Sequence, residues 1–283
     1  MQCQQLRTAI CSAAAKFPPL PSCCLRAAVV RLRTMRSETF QLKAFSSDSS
    51  SAPNWADTML SNSCKGVEST AVVLPAVEAH AIEAASALRN GQVIALPTDT
   101  LYGLACDACS ATAIQRIYAI KGRNVTSPLA VCVADVDDIK SYGTTSYLPE
   151  GLLRELLPGP VTVILQRGNN SLLDKSLNPG ILSIGVRIPD SDFIRLVARS
   201  FGGALALTSA NLSGQPSTIE VREFEQLWSS CALIFDTGRL VGGRLGSTIV
   251  DLTRRGIFKV VRKGSALMET KLVLNGYGLI EET

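Results

Sequence analysis

The chain has 283 residues, 46% hydrophobic and 18% charged, which is room for one large α/β domain with a substantial core. No apolar run approaches the roughly 20 residues that a membrane-crossing helix needs, so the expected body is a soluble globular protein. The net charge of +4 comes from residues 1–45, where seven Lys and Arg face Glu38 alone; the remainder holds 21 basic and 23 acidic residues, a net of −2, which excludes the broad basic footprint of a protein held on nucleic acid by charge.

Residues 1–45 are rich in Arg, Ser and Ala and poor in acid, the composition of an organellar transit peptide for mitochondrion or plastid, with a plain polar tail as the alternative. A secretory signal does not fit, because "AICSAAAKFPPLP" is broken by Lys16 and by prolines. Met35 and Met59 are internal starts from which a cytosolic form would follow. Residues 46–70 are polar and aperiodic, a disordered linker, and residues 71–283 form a single domain.

From Ala71 onward two kinds of segment alternate. "VEAHAIEAASALRNG" has helical spacing and a stop at Gly91, and "QVIAL" is a short buried strand ended by Pro97. A helix follows Ser110 through "TAIQRIYAIKGR", and "PLAVCVA" returns to strand. "EGLLRELLPG" and "SDFIRLVARSFG" read as helices, and "VTVILQ", "SIGVRIP" and "ALALTSA" as strands. A helix at Val221–Trp228 precedes the strands "ALIFDTG", "STIVDLT" and "FKVVRKG". Short strands interleaved with helices predict an α/β fold with one twisted mixed sheet flanked by helices.

The residue inventory restricts the chemistry. His80 is the only histidine and lies on a helix before the first of these strands, which argues against a Ser-His-Asp triad, a His-zinc site and a histidine base. "GGRLGST" lacks the lysine of a P-loop. Cys106, Cys109, Cys132 and Cys231 sit in mostly apolar settings; "CDAC" has redox spacing, but without a second cysteine pair these read as reduced core or lining thiols.

What remains is a set of cations and hydroxyls at strand ends. Thr98, Asp99 and Thr100 form either a capped turn or part of a site. Lys121 and Arg123 flank Gly122 at a helix end, as ordinary C-terminal cations or as a phosphate grip. Arg187 stands inside an apolar strand and needs a partner or a ligand. Thr208, Ser209 and Asn211 end another strand with uncharged donors and acceptors that suit a polar ligand. Ser217 with Glu220 fits a capping box for the next helix, which leaves Ser209 and Asn211 unexplained.

In order, "LPTDTLYGLACDA", "KGR" with "PLAVCVA", "LLPGPVTVIL", "GVRIPD", "ALTSANLSG" and "GSTIVDL" resemble the YrdC-domain family, the L-threonylcarbamoyladenylate synthases, over residues 75–265. The resemblance is to the stand-alone eukaryotic members. It implies a deep, positively lined cavity and synthesis of threonylcarbamoyl-AMP and pyrophosphate from L-threonine, bicarbonate and ATP with Mg²⁺. A separate threonylcarbamoyl transferase then modifies adenosine 37 of ANN-decoding tRNAs, and a weak contact with tRNA goes with that role. By the same resemblance Lys121, Arg123, Ser209 and Asn211 are catalytic, and Ser127, Ser183, Ser217 and Arg262 join them around ATP. Thr100, Cys132, Arg187, Ser209 and Thr248 hold threonine, with Arg187 on its carboxylate, and no side chain is assigned to metal. Two departures stand out: Cys132 where histidine is common, and Arg262-Lys263-Gly264 where the family has R-P-G. The resemblance further implies that loss of Lys121 costs catalysis far more than folding. The alternative readings are an RNA-binding module and a regulatory protein of the same fold without activity.

Overall fold

The computed structural model describes residues 71–122 and 128–282. The predicted leader (1–45) and linker (46–70), and the site candidates Arg123 and Ser127, lie outside the described residues.

In chain order the elements are β1 (Val72–Pro75), α1 (Ala81–Arg89), β2 (Ile94–Pro97), β3 (Tyr102–Asp107), α2 (Ala111–Lys121), β4 (Ala130–Cys132), α3 (Leu152–Leu156), β5 (Val161–Gln166), β6 (Ser183–Arg187), α4 (Asp192–Phe201), β7 (Leu205–Ser209), β8 (Leu233–Asp236), β9 (Thr248–Asp251), β10 (Ile257–Arg262), α5 (Leu267–Gly276) and β11 (Ile280–Glu281). Short 3-10 turns occupy Glu78–His80, Val136–Ser141 and Val221–Ser230. The strands form one mixed sheet in the order β1-β8-β2-β3-β7-β4-β6-β5-β9-β10-β11. β4 and β6, β5 and β9, and β8 with both β1 and β2 run parallel, while β3, β7 and β10 enter antiparallel.

Strand alternation sorts side chains between two cores. Val93, Ala95, Leu104, Val131, Val163, Val186 and Ala206 face one side together with Ile114 and Ile117 of α2 and Leu274 of α5. Ile94, Leu96, Ala105, Cys132, Leu205 and Leu207 face the other, against α1 and α4. Both helices have the spacing this needs: Ala84, Ala85 and Leu88 on α1, and Phe193, Ile194, Val197 and Ala198 on α4, are buried. Each large apolar side chain among them contributes about 1.5–3 kcal/mol by leaving water. α2 begins at Ser110, whose side chain accepts from Ala113 N at 3.4 Å, and ends at Gly122, whose φ of +54° is left-handed.

Two points differ from the sequence reading. Tyr102–Asp107, which it assigns to no element, is a fully paired strand between β2 and β7. The capping box of Ser217 with Glu220 does not form: the turn starts at Val221 with Glu220 as its cap residue, and the carboxylate that serves it is Glu223, which accepts from Ile219 N at 2.8 Å.

Candidate active site

α1 and α4 pack on each other and cover the β2–β3 side of their sheet face. Farther along that face small residues form the floor. Gly103 pairs with Ser209, and Ala130 pairs with Gly185 and Leu207. A Cβ at Gly185 would approach Thr162 Cγ2 to 3.1 Å, and one at Gly103 would approach Leu207 Cδ1 to 2.9 Å. The uncovered part of the face is a cavity of about 490 Å³. Its walls carry Thr98, Thr162, Ser209, Ser217 and Ser247 as hydroxyl donors, with four cations, Arg187, Arg244, Arg262 and Lys263. No carboxylate is among the described residues that line it. The cavity is built for a polar anion.

Arg187 ends β6 and is nearly buried. Its Nη2 donates to Asp99 Oδ1 at 2.6 Å and to Thr100 Oγ1 at 3.2 Å, while Nε is buried without a hydrogen-bond partner in the protein. The charge inside an apolar strand, expected to need a partner or a ligand, thus has a partner in the protein, Asp99. Asp99 Oδ2 also accepts from Asp190 N at 3.0 Å. The Thr98 hydroxyl closes the local turn, taking Thr100 N and Leu101 N at 3.1 Å and donating to Leu101 O at 2.8 Å. The corner is therefore both a capped turn and the seat of Arg187.

Arg262 approaches from β10. Its Nε and Nη2 donate to Ser247 O at 3.1 and 2.9 Å, and Nη2 reaches Ser247 Oγ at 3.0 Å. Burial, and then the like charge of Arg187, pull the Arg262 pKa below the usual guanidinium value. Two cations that disfavour one another across a cavity are relieved by an anion between them. Gly264 fastens this side: a Cβ there would lie 2.2 Å from Thr248 N, so only glycine lets the Arg262-Lys263-Gly264 turn meet the backbone ahead of β9.

Lys121 behaves differently from a phosphate-gripping cation. Its side chain is buried and does not line the cavity. Nζ donates to Ser209 O at 2.7 Å, to Asn211 Oδ1 at 3.0 Å and to Asn211 O. Ser209 Oγ donates to Asn211 Oδ1, and Asn211 Nδ2 to Gln215 O at 2.6 Å. The end of α2 and the end of β7 are thus locked around one ammonium group, with Ser209 presented to the cavity and Asn211 behind it.

Of the remaining candidates, Ser217 lines the cavity with Ser209, Arg187 and Arg262, and Thr100 supports Arg187 from below. Ser183 faces the same side of the sheet but lies four residues down β6 from Arg187, about 13 Å away, outside the lining. Thr248 pairs with Val161 and so alternates away from Thr162 and Ile249, which do line the cavity; its Oγ1 is buried without a partner. Thr162 and Ser247, hydrogen-bonded at 2.8 Å, and Arg244 and Lys263 are lining residues that sequence reading passes over. Thr162 is hidden in an apolar strand, and the others lie in loops without a pattern.

Cys132 sits one strand from Arg187 in direct register, fully buried. Burial pushes its thiol up to about 12, against a smaller opposing pull from Arg187. Cys132 is a neutral packing group. Iodoacetamide at about pH 8 is expected to label exposed Cys109 and to leave buried Cys106, Cys132 and Cys231 untouched in the native chain, read by peptide mass mapping. Early alkylation of Cys132 would show that its sulfur reaches solvent.

Comparison with known proteins places these features in a wider set. The Sua5–YciO–YrdC family model, described as "Telomere recombination", matches residues 86–264. The threonylcarbamoyl-AMP synthase of Bos taurus is 50% identical over 207 residues, covering 71% of this chain and 74% of that protein. The threonylcarbamoyl-AMP synthase of Homo sapiens is 48% identical over 208 residues, again 71% of this chain and 74% of the other. The crystal structure of P. abyssi Sua5 complexed with L-threonine superimposes with a TM-score of 0.66 at 26% identity, covering 75% of this chain. The chain spans 62% of the length of that P. abyssi protein.

Proposed function

The chain belongs to the Sua5–YciO–YrdC family, and from that premise we infer that it is a threonylcarbamoyl-AMP synthase, joining L-threonine, bicarbonate and ATP into threonylcarbamoyl-AMP with release of pyrophosphate. The observation that carries the reading is the cavity with Arg187, Arg262 and Lys263 on its walls and no carboxylate among its described lining residues, the charge of Arg244 being taken up by Glu223. Bicarbonate loses hydroxide to give CO₂, the threonine amine adds to its carbon as one C–O π bond opens onto oxygen, and the amine proton joins the hydroxide, so that a carbamate and water result. A carbamate oxygen then attacks the α-phosphorus of ATP, and the bond to the bridging oxygen breaks, so that pyrophosphate leaves with the electron pair. The transition state crowds negative charge at one phosphorus, and fixed cations and oriented donors stabilise it more than a proton shuttle does. That need agrees with a chain whose only histidine is His80, before β2.

In this reading Arg187, held by Asp99 and Thr100, meets the threonine carboxylate, with its buried Nε as a donor still to be satisfied. Arg262 and Ser247, with Ser217 and Ser209 opposite, take the nucleotide side, and Lys121 with Asn211 sets the position of Ser209. Among the described residues no group of three or more His, Cys, Asp or Glu is placed to hold a metal ion. Mg²⁺ belongs to the proposal as part of the ATP substrate. Delivery of the product to a threonylcarbamoyl transferase acting on tRNA, a weak contact with that tRNA, and residence in mitochondrion or plastid with a cytosolic form complete the proposal. No helix among the described residues is long and apolar enough to cross a membrane.

The test is incubation of the full chain with L-threonine, bicarbonate, Mg²⁺ and α-labelled ATP, leaving out threonine or bicarbonate in turn. A labelled adenylate that requires both is the expected product. ATP bound but never converted would replace the synthase reading with a binding or regulatory one.

A further inference from the structure

Between β8 and β9 the chain runs through a glycine-rich stretch in which Gly238 and Gly243 have left-handed φ of +80° and +77°. Its ends are tied down. Tyr102 OH donates to Gly238 O at 2.7 Å, Leu240 N donates to Ile219 O at 2.9 Å, and Gly246 O accepts from Ser265 N at 3.1 Å. Between those ties Val241 and Leu245 are exposed, and Arg244 reaches across to another segment. Its Nη1 donates to Ser217 O at 2.7 Å and to Glu223 Oε2 at 3.0 Å, and Nη2 to Glu223 Oε1 at 2.6 Å. Glu223 Oε2 also accepts from Ile219 N at 2.8 Å, so the carboxylate is oriented by its own segment before the guanidinium meets it. Arg244 and Ser217 both line the cavity, from chain segments 27 residues apart. The fork therefore bridges two walls of one mouth.

An exposed ion pair contributes little to folding, and Arg244 is about half exposed. Its fork does fix a distance, because a planar guanidinium on both carboxylate oxygens and a carbonyl permits one geometry. The pairing holds the Glu223 carboxyl down to about 2, so the latch carries full charge near neutrality. Resting on the synthase reading above, we propose that Arg244 is a positioning residue: latched to Glu223 and Ser217, it sets the spacing between the two walls that flank the nucleotide.

The expected signature is selective. Arg244→Ala raises KM for ATP about tenfold while kcat and KM for threonine stay within about twofold, the pattern of lost uniform binding to one substrate. Glu223→Gln, which keeps an acceptor for Ile219 N, produces the same change, and the double variant is no worse than either single one, because both break one contact. Arg244→Lys recovers only part, since an ammonium group cannot span the fork. The unfolding midpoint stays near wild type throughout. Unchanged KM for ATP in Arg244→Ala, additive effects of the two substitutions, or equal rises in both KM values with a falling midpoint would each overturn the latch while leaving the synthase reading intact. A wild-type chain that makes no adenylate removes the synthase reading, and the latch with it.

Discussion

Lys121→Ala is expected to lose both folding stability and at least about 100-fold in adenylate formation, the scale that misplacement of a reacting group by an ångström reaches. The ammonium group satisfies Ser209 O, Asn211 O and Asn211 Oδ1 in a buried corner. Each buried acceptor left unpaired costs about 1–3 kcal/mol, and water admitted by the smaller side chain offsets part of that. The Lys121 carbonyl also accepts from Ser213 N at 3.1 Å, so the same residue ties α2 to the far side of the S-x-N turn through its backbone. With the side chain gone, Ser209 loses the support that presents it to the cavity. This revises the expectation that loss of this cation would cost catalysis far more than folding. Thermal unfolding and adenylate formation measured on the same preparation check it. An inactive variant with a wild-type midpoint would return Lys121 to a purely catalytic role, and a stable, active one would remove it from the site altogether.

The difference between the two expectations shows what the chain reveals by itself. Strands such as Val161–Gln166 and Leu205–Ser209 are legible because short apolar runs, β-branched in the first, end in polar residues. Tyr102–Asp107 is not, because a strand buried on both faces has no alternation and carries a glycine, Gly103, at its second position, opposite Ser209. α5 is obscured by Met268 and Leu272, apolar side chains on its exposed face. At the site, the odd residue types are visible: a lysine at a helix end, an arginine in a strand, a serine and an asparagine after one. Their directions are not, since a 3.6-residue period says which face Lys121 occupies but not that β7 ends beneath it. The pairing of Asp99 with Arg187 spans 88 residues and exists only because β2, β3, β7, β4 and β6 are neighbours in the sheet. Arg244, Ser247 and Lys263 lie in loops, where only the assembled fold decides what a side chain faces.

Arg187→Met tests that long-range pair, and the expected loss is about 3–5 kcal/mol, because Asp99 is left as a buried charge without its partner. For a domain of this size that corresponds to a fall of roughly 6–20 °C in the unfolding midpoint. Arg187 and Asp99 side chains are 11% and 7% exposed, so solvent does little to replace either one. Adding Asp99→Asn removes the stranded charge while keeping an acceptor for Asp190 N, and it should restore most of the midpoint, since replacing a whole buried pair is often nearly neutral. Activity should not return with stability. If Arg187 meets the threonine carboxylate as proposed, the double variant is as inactive as the single one, with saturation by threonine out of reach. The two measurements then separate the observed task of Arg187, holding the Thr98–Thr100 corner, from the proposed one, meeting the substrate. A double variant that regained both the midpoint and adenylate formation would leave Arg187 with only the first task, and the carboxylate would have to be met by another cavity cation, Arg262 or Lys263.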